Sequence, residues 1–106
     1  METRIFFGNK KLQKEYETLK DERLRRSLDK AFKNIEEDPA IGIPLEKYRI
    51  PKGFVTKGYD NIWKYNLPGA WRLIYSLQGD RITILAIILE WCKHGEYQRK
   101  YSGKRK

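Results

Sequence analysis

The sequence predicts an α+β domain: a small antiparallel sheet with an N-terminal helical hairpin packed on one face, in the order β-α-α-β-β-β with a short C-terminal helix. Three observations predict it. Two apolar stripes of helical period occupy the first 38 residues. Strict alternation of apolar and polar residues runs through Ile62–Leu77. A nearly continuous apolar, β-branched run follows at Ile82–Leu89, the pattern of a central strand covered on both faces.

Arg4–Phe7 is short and apolar and reads as a first strand. Gly8-Asn9 ends it, with Asn9 placed to cap a helix. Leu12, Tyr16 and Leu19 then recur on one helical stripe, and Lys20-Asp21 breaks it. Leu24, Leu28, Ala31, Phe32 and Ile35 form a second stripe. Asp38-Pro39 stops it, because the residue before proline is pushed out of the helical region. Residues 39–61 carry three prolines and three glycines and read as a loop with short extended pieces.

The sheet half is more regular. Trp63, Tyr65 and Leu67 alternate with Lys64 and Asn66; after the tight Pro68-Gly69-Ala70 connection, Trp71, Leu73, Tyr75 and Leu77 alternate with Arg72, Ile74 and Ser76. One face is thus a wall of aromatics and leucines for the helices, including Trp63 and Trp71. The other carries Lys64, Asn66 and Arg72. Gln78-Gly79-Asp80 makes the next turn. Trp91–Tyr101 reads as a short helix or loop, so that 1–101 is one domain and 102–106 a basic, disordered tail.

The charge balance narrows the partners. The 106 residues hold 23 Lys and Arg against 14 Asp and Glu, a formal net charge of +9. Such a field favours nucleic acid, an anionic membrane surface or an acidic protein. No apolar stretch reaches the roughly 20 residues that span a bilayer, and no signal peptide is evident, so a cytoplasmic protein is expected. One cysteine, Cys92, and one histidine, His94, supply neither a disulfide nor the usual zinc ligands. Cys92 reads as a small apolar filler and no metal or cofactor is expected.

Lys64 on one strand, Trp71-Arg72-Leu73-Ile74-Tyr75 on the next, the apolar Ile82–Leu89 strand and the closing His94…Tyr97 together resemble the RelE/ParE superfamily of toxins. The resemblance covers nearly the whole chain in element order. It implies a toxin of a type II toxin–antitoxin pair, held inactive by an antitoxin that is acidic or partly disordered. In the RelE-like branch it implies a metal-independent endoribonuclease cleaving mRNA in the ribosomal A site. There the ribose 2′-OH attacks the adjacent phosphate, a base and an acid move the protons, and cations stabilise the phosphorane. A ParE-type inhibitor of DNA gyrase that cuts nothing, or a non-catalytic RNA-binding homologue, are the alternatives.

On that resemblance the catalytic candidates are Arg72, His94, Lys64 and Tyr97. Arg72 suits bidentate phosphate contact; its bland alternative is pairing to a carboxylate such as Glu90 or Glu46. Lys64 would act Coulombically at the phosphate, or merely guard an edge strand. His94 brings the residue type that ordinarily titrates near neutrality. Tyr97 would stack on a base or move a proton, or else pin the last helix. Where the RelE type carries a second strand lysine this chain has Asn66, which can orient RNA but cannot serve as a base. The arginine that follows the last strand in the family has no clear match, and Lys93 or Arg99 stands nearest. Glu46 resembles a glutamate base of one branch. In the basic C-terminal stretch, Lys93, Arg99, Lys100 and Tyr101 are the further RNA-binding candidates, since lysine and arginine meet phosphates and aromatics stack on bases.

Overall fold

The structure is a computed structural model that describes residues 2–79 and 82–103. Asp80 and Arg81, and the tail residues Lys104, Arg105 and Lys106, lie outside the described residues. The chain runs β1 (Glu2–Phe7), α1 (Lys10–Glu17), α2 (Glu22–Glu37), β2 (Ile43–Pro44), α3 (Lys52–Thr56), β3 (Ile62–Leu67), β4 (Trp71–Gly79), β5 (Thr83–Lys93) and α4 (His94–Lys100). One sheet holds the strands in the order β1-β5-β4-β3-β2.

Local chemistry sets the helix ends. The Asn9 side chain accepts from the Leu12 amide at 2.8 Å, as its position before the first stripe suggests. Asp21 does the same for Leu24 at 3.1 Å. The Lys20-Asp21 break is therefore a second N-cap, and it splits one helical stretch into a hairpin. Leu12, Leu24, Leu28, Ala31 and Ile35 then pack against Leu67, Leu73, Tyr75, Ala86 and Ile88, with Trp63, Tyr65 and Trp71 against the same cluster. The alternation read from the sequence gives the correct face. Asn34 fixes the docking by donating to the Tyr65 hydroxyl at 2.9 Å.

Strands β3 to β5 form the expected antiparallel meander, extended by β2, but the sheet as a whole is mixed: β1 joins β5 in parallel. The reason is the path of the chain. From β1 at one edge the helical hairpin crosses the sheet to β2 at the other edge, and the meander returns strand by strand until β5 lies beside β1.

Two further expectations are corrected. Residues 39–61 are not simply loop: they contain β2, α3 and 3-10 turns at Pro39–Ile41 and Lys47–Arg49. They also cover the second face of the sheet. Ile50, Ile62, Ile74, Leu89, Cys92, Tyr97 and Tyr101 form a second buried cluster there, joined by Leu45, Phe54 and Tyr59. That face is consequently cored rather than open. The last strand also runs on to Lys93, where a helix or loop was expected from Trp91. A register shift accompanies this: Ile74 pairs with Glu90 but Tyr75 with Ile88. One extra β5 residue, Leu89, is inserted. Such a bulge switches which face later residues address. Trp91 thereby returns to the helix side, while Glu90 and Cys92 turn toward α4.

Candidate functional site

The polar end of the second face assembles around β3, β4 and α4. Asn66 and Arg72 are direct neighbours across β3 and β4, and Arg72 in turn faces Cys92 on β5. Because β5 ends at Lys93 and α4 begins at His94, the chain turns there and brings the imidazole back over Arg72. Arg72 Nη2 lies 3.2 Å from His94 Nδ1, and Arg72 Nη1 donates to the Trp71 carbonyl at 3.0 Å. A guanidinium only donates, so Nδ1 accepts and the proton of the neutral ring sits on Nε2. Among the described residues Arg72 forms no ion pair with a carboxylate; Glu46 is exposed at the start of the Lys47–Arg49 turn, and Glu90 is engaged elsewhere.

Lys64 joins the group from β3, with Nζ 5.1 Å from the centroid of the Tyr97 ring. This is cation–π range. Tyr97 is 5% exposed, and its hydroxyl has no hydrogen-bond partner among the described residues. Burial raises its pKa, and the guanidiniums of Arg49 and Arg72 pull partly the other way. Arg49, from the turn at Lys47–Arg49, is thus a cation near the site that the sequence did not single out. It sits in an irregular segment without periodicity, and only the packing of neighbouring Ile50 against Tyr97 and Tyr101 brings it there.

The structure gathers Arg72, His94, Lys64 and Tyr97 and places Asn66 exposed beside Arg72. It rules out the base-stacking roles of Tyr101 and Tyr97 and places the remaining candidates. Tyr101 is 1% exposed, stacked on Tyr97 and Phe54, and its hydroxyl donates to Glu90. A ring so enclosed cannot stack on a base. The Tyr97 ring, under Lys64 and against Tyr101, is equally unable to do so and pins α4 to the sheet. Lys100 is paired with Glu90 at 2.9 Å and with Glu96 at 3.2 Å. Lys93 donates to the Gly69 carbonyl at 3.0 Å and lies over the Trp71 ring. Arg99 is exposed on α4. Cys92 is buried, and burial pushes its thiol up to about 11, so it is a packed apolar group. Among the described residues no group of three or more His, Cys, Asp or Glu could hold a metal ion. No described helix is long and apolar enough to cross a membrane.

Chemically, the arrangement offers an arginine held by the Trp71 carbonyl and His94, a lysine ammonium over the Tyr97 ring and an imidazole at the edge of a cored sheet. Comparison with known proteins bears on the family and the fold. A model of the family described as "ParE toxin of type II toxin-antitoxin system, parDE" matches residues 9–89. Among solved structures, an arginine double mutant of the E. coli toxin RelE in the free state is similar, with a TM-score of 0.56 and 18% identity over 96% of each chain. A search of curated proteins gives no match.

Proposed function

The chain belongs to the ParE toxin family of type II toxin–antitoxin systems, and from that premise we propose that it is a metal-independent endoribonuclease that cuts mRNA in the ribosomal A site and so inhibits translation. A cognate antitoxin is its partner as a type II toxin; the +9 charge favours an acidic one. The observation that carries the nuclease reading is the Arg72–His94 contact, with Lys64 on the adjoining strand.

Cleavage by 2′-OH attack needs a base near the hydroxyl, an acid near the leaving 5′-oxygen and positive charge on the phosphorane. Arg72 and Lys64 supply the charge, and the leaving 5′-oxygen takes its proton from solvent water. In the unliganded site the lone pair of His94 Nδ1 is occupied by Arg72. A phosphate that draws the Arg72 guanidinium into a bidentate contact frees Nδ1 to accept a proton. Binding of substrate and arming of the base are then one event. Asn66, beside Arg72, orients the ribose or base and carries no proton.

The fold likeness to RelE supplies architecture rather than chemistry, and the ParE name of the matching family favours a second reading, inhibition of DNA gyrase without cleavage. The two are separated by paired assays: single-turnover cleavage of A-site mRNA on programmed ribosomes, and supercoiling by gyrase. Cleavage that disappears in folded Arg72→Ala and His94→Ala supports the nuclease reading. Intact mRNA together with blocked supercoiling overturns it.

A further inference from the structure

We propose that Glu90 is a positioning residue: by clamping the far end of α4 it sets His94 against Arg72. The inference rests on the reading of Arg72 and His94 as the reacting pair.

The helix that presents His94 cannot hold itself. It has seven residues, and its N-cap, Lys93, makes no side-chain bond to the first turn. Helices this short are marginal in water, so the position of α4 depends on tertiary anchors. Two kinds are present. The aromatic anchors are the Tyr97–Tyr101 stack at 5.0 Å and the Tyr101–Phe54 stack at 6.4 Å. Stacked rings tolerate sliding across one another and fix depth better than rotation.

The polar anchor is directional. Glu90 Oε1 accepts from Lys100 Nζ at 2.9 Å, and Oε2 accepts from the Tyr101 hydroxyl. Both oxygens of one carboxylate, on a side chain only 17% exposed, are thus spent on the C-terminal end of α4. Lys100 also pairs with Glu96 inside the helix, which ties the clamp to the helix body.

The sheet holds both ends of this lever. Glu90 pairs with Ile74 and Cys92 with Arg72, so the clamp and the guanidinium stand two residues apart on the same rigid ladder. The bulge beside Glu90 aims its carboxylate at α4 rather than at the helical hairpin. His94 lies at the other end, about 10 Å away along a seven-residue helix. A small rotation at the clamp therefore becomes a displacement of the imidazole large enough to break a 3.2 Å contact.

The test reads the imidazole directly. In protein labelled with 15N-histidine, wild-type His94 gives an acceptor Nδ1 and a protonated Nε2. Glu90→Ala and Tyr101→Phe move these signals toward the tautomer average of free histidine. With little change in KM, kcat for cleavage falls about 100-fold, the scale of a 1 Å misplacement. Glu90→Gln, which keeps one acceptor oxygen and puts an NH2 donor at the other position, retains part of the signature. If Glu90→Ala fails to fold, Tyr101→Phe and Glu90→Gln carry the test. Folded Tyr101→Phe with the wild-type His94 signature overturns the inference. A signature that moves in a protein that cuts no RNA upholds the clamp and removes the nuclease reading.

Discussion

Tyr75→Phe isolates the polar contribution of one buried hydroxyl that ties the irregular segment to the sheet. Tyr75 is fully buried in β4. Its hydroxyl donates to the Pro39 carbonyl at 2.8 Å and accepts from the Gly42 amide at 3.1 Å. Phenylalanine keeps the ring and leaves almost no cavity, so the loss is confined to these two bonds. An unpaired buried donor or acceptor costs about 1–3 kcal/mol. Pro39 and Gly42 are only half-buried, and water reaches part of the vacancy. The expected destabilisation is therefore about 2–3 kcal/mol. In urea, with a slope of about 1–3 kcal/mol/M, the midpoint falls by roughly 1–3 M and the slope is unchanged. Equilibrium unfolding followed by tryptophan fluorescence and by circular dichroism measures it. A loss below about 0.5 kcal/mol would show that the hydroxyl does not fasten residues 39–42, and the reasoning fails.

Further expectations follow from single residues. Gly42→Ala places a Cβ 2.5 Å from the Lys64 carbonyl and 2.6 Å from the Tyr75 hydroxyl, so backbone must move; it should cost about 1–3 kcal/mol by overpacking, seen as a lowered melting temperature. Burial pushes Tyr75 up to about 12, and burial with Glu90 pushes Tyr101 up as well. The folded chain then keeps protons that the unfolded chain gives up, so stability is complete below pH 10 and falls as pH rises above it, with Tyr75 alone contributing about 2–3 kcal/mol by pH 12; denaturant titration between pH 8 and pH 12 reads the slope, which is shallower in Tyr75→Phe. Arg72→Ala should slow single-turnover cleavage about 10²–10³-fold, with Arg72→Lys recovering only part, because the bidentate fork is lost. RNA affinity should drop steeply with salt, as contacts of lysine and arginine to phosphate release counterions; filter binding at two ionic strengths tests it.

The helical hairpin and the central strands were legible because each obeys one period over many residues. Asn9, Leu12, Leu24 and Ile35 announce caps and stripes, and the alternation from Trp63 to Leu77 fixes which face meets the helices. Three features were hidden, each for a physical reason. The parallel pairing of β1 follows from the path of the whole chain, and no residue in Glu2–Phe7 encodes it. The bulge at Leu89 inverts the alternation inside an apolar run where every residue looks the same, so the inward turn of Glu90 and Cys92 cannot be read. Residues 45–59 bury Ile50 and Phe54 without any periodicity, and Tyr101 looks like a stacking platform in a basic stretch until those residues close over it. Arg72, Lys64 and His94 were readable one by one; their meeting was not, because it depends on the turn from β5 into α4.

That turn bears on the chemistry itself. On the nuclease reading, Asn66 stands where a strand lysine would otherwise share the proton transfer. A strand residue is held on both sides by the ladder, whereas His94 opens a seven-residue helix. Moving the titratable group from β3 to α4 exchanges intrinsic rigidity for dependence on anchors: the Tyr97–Tyr101 stack, the Phe54 ring and the Glu90 carboxylate. Anything that lifts α4 from the sheet removes the imidazole and exposes the Tyr97 and Tyr101 rings in the same step, while leaving Arg72 and Lys64 on their strands. On that reading phosphate binding and proton transfer are separable in this chain. A state with α4 displaced would still grip RNA through its cations and would not cut it.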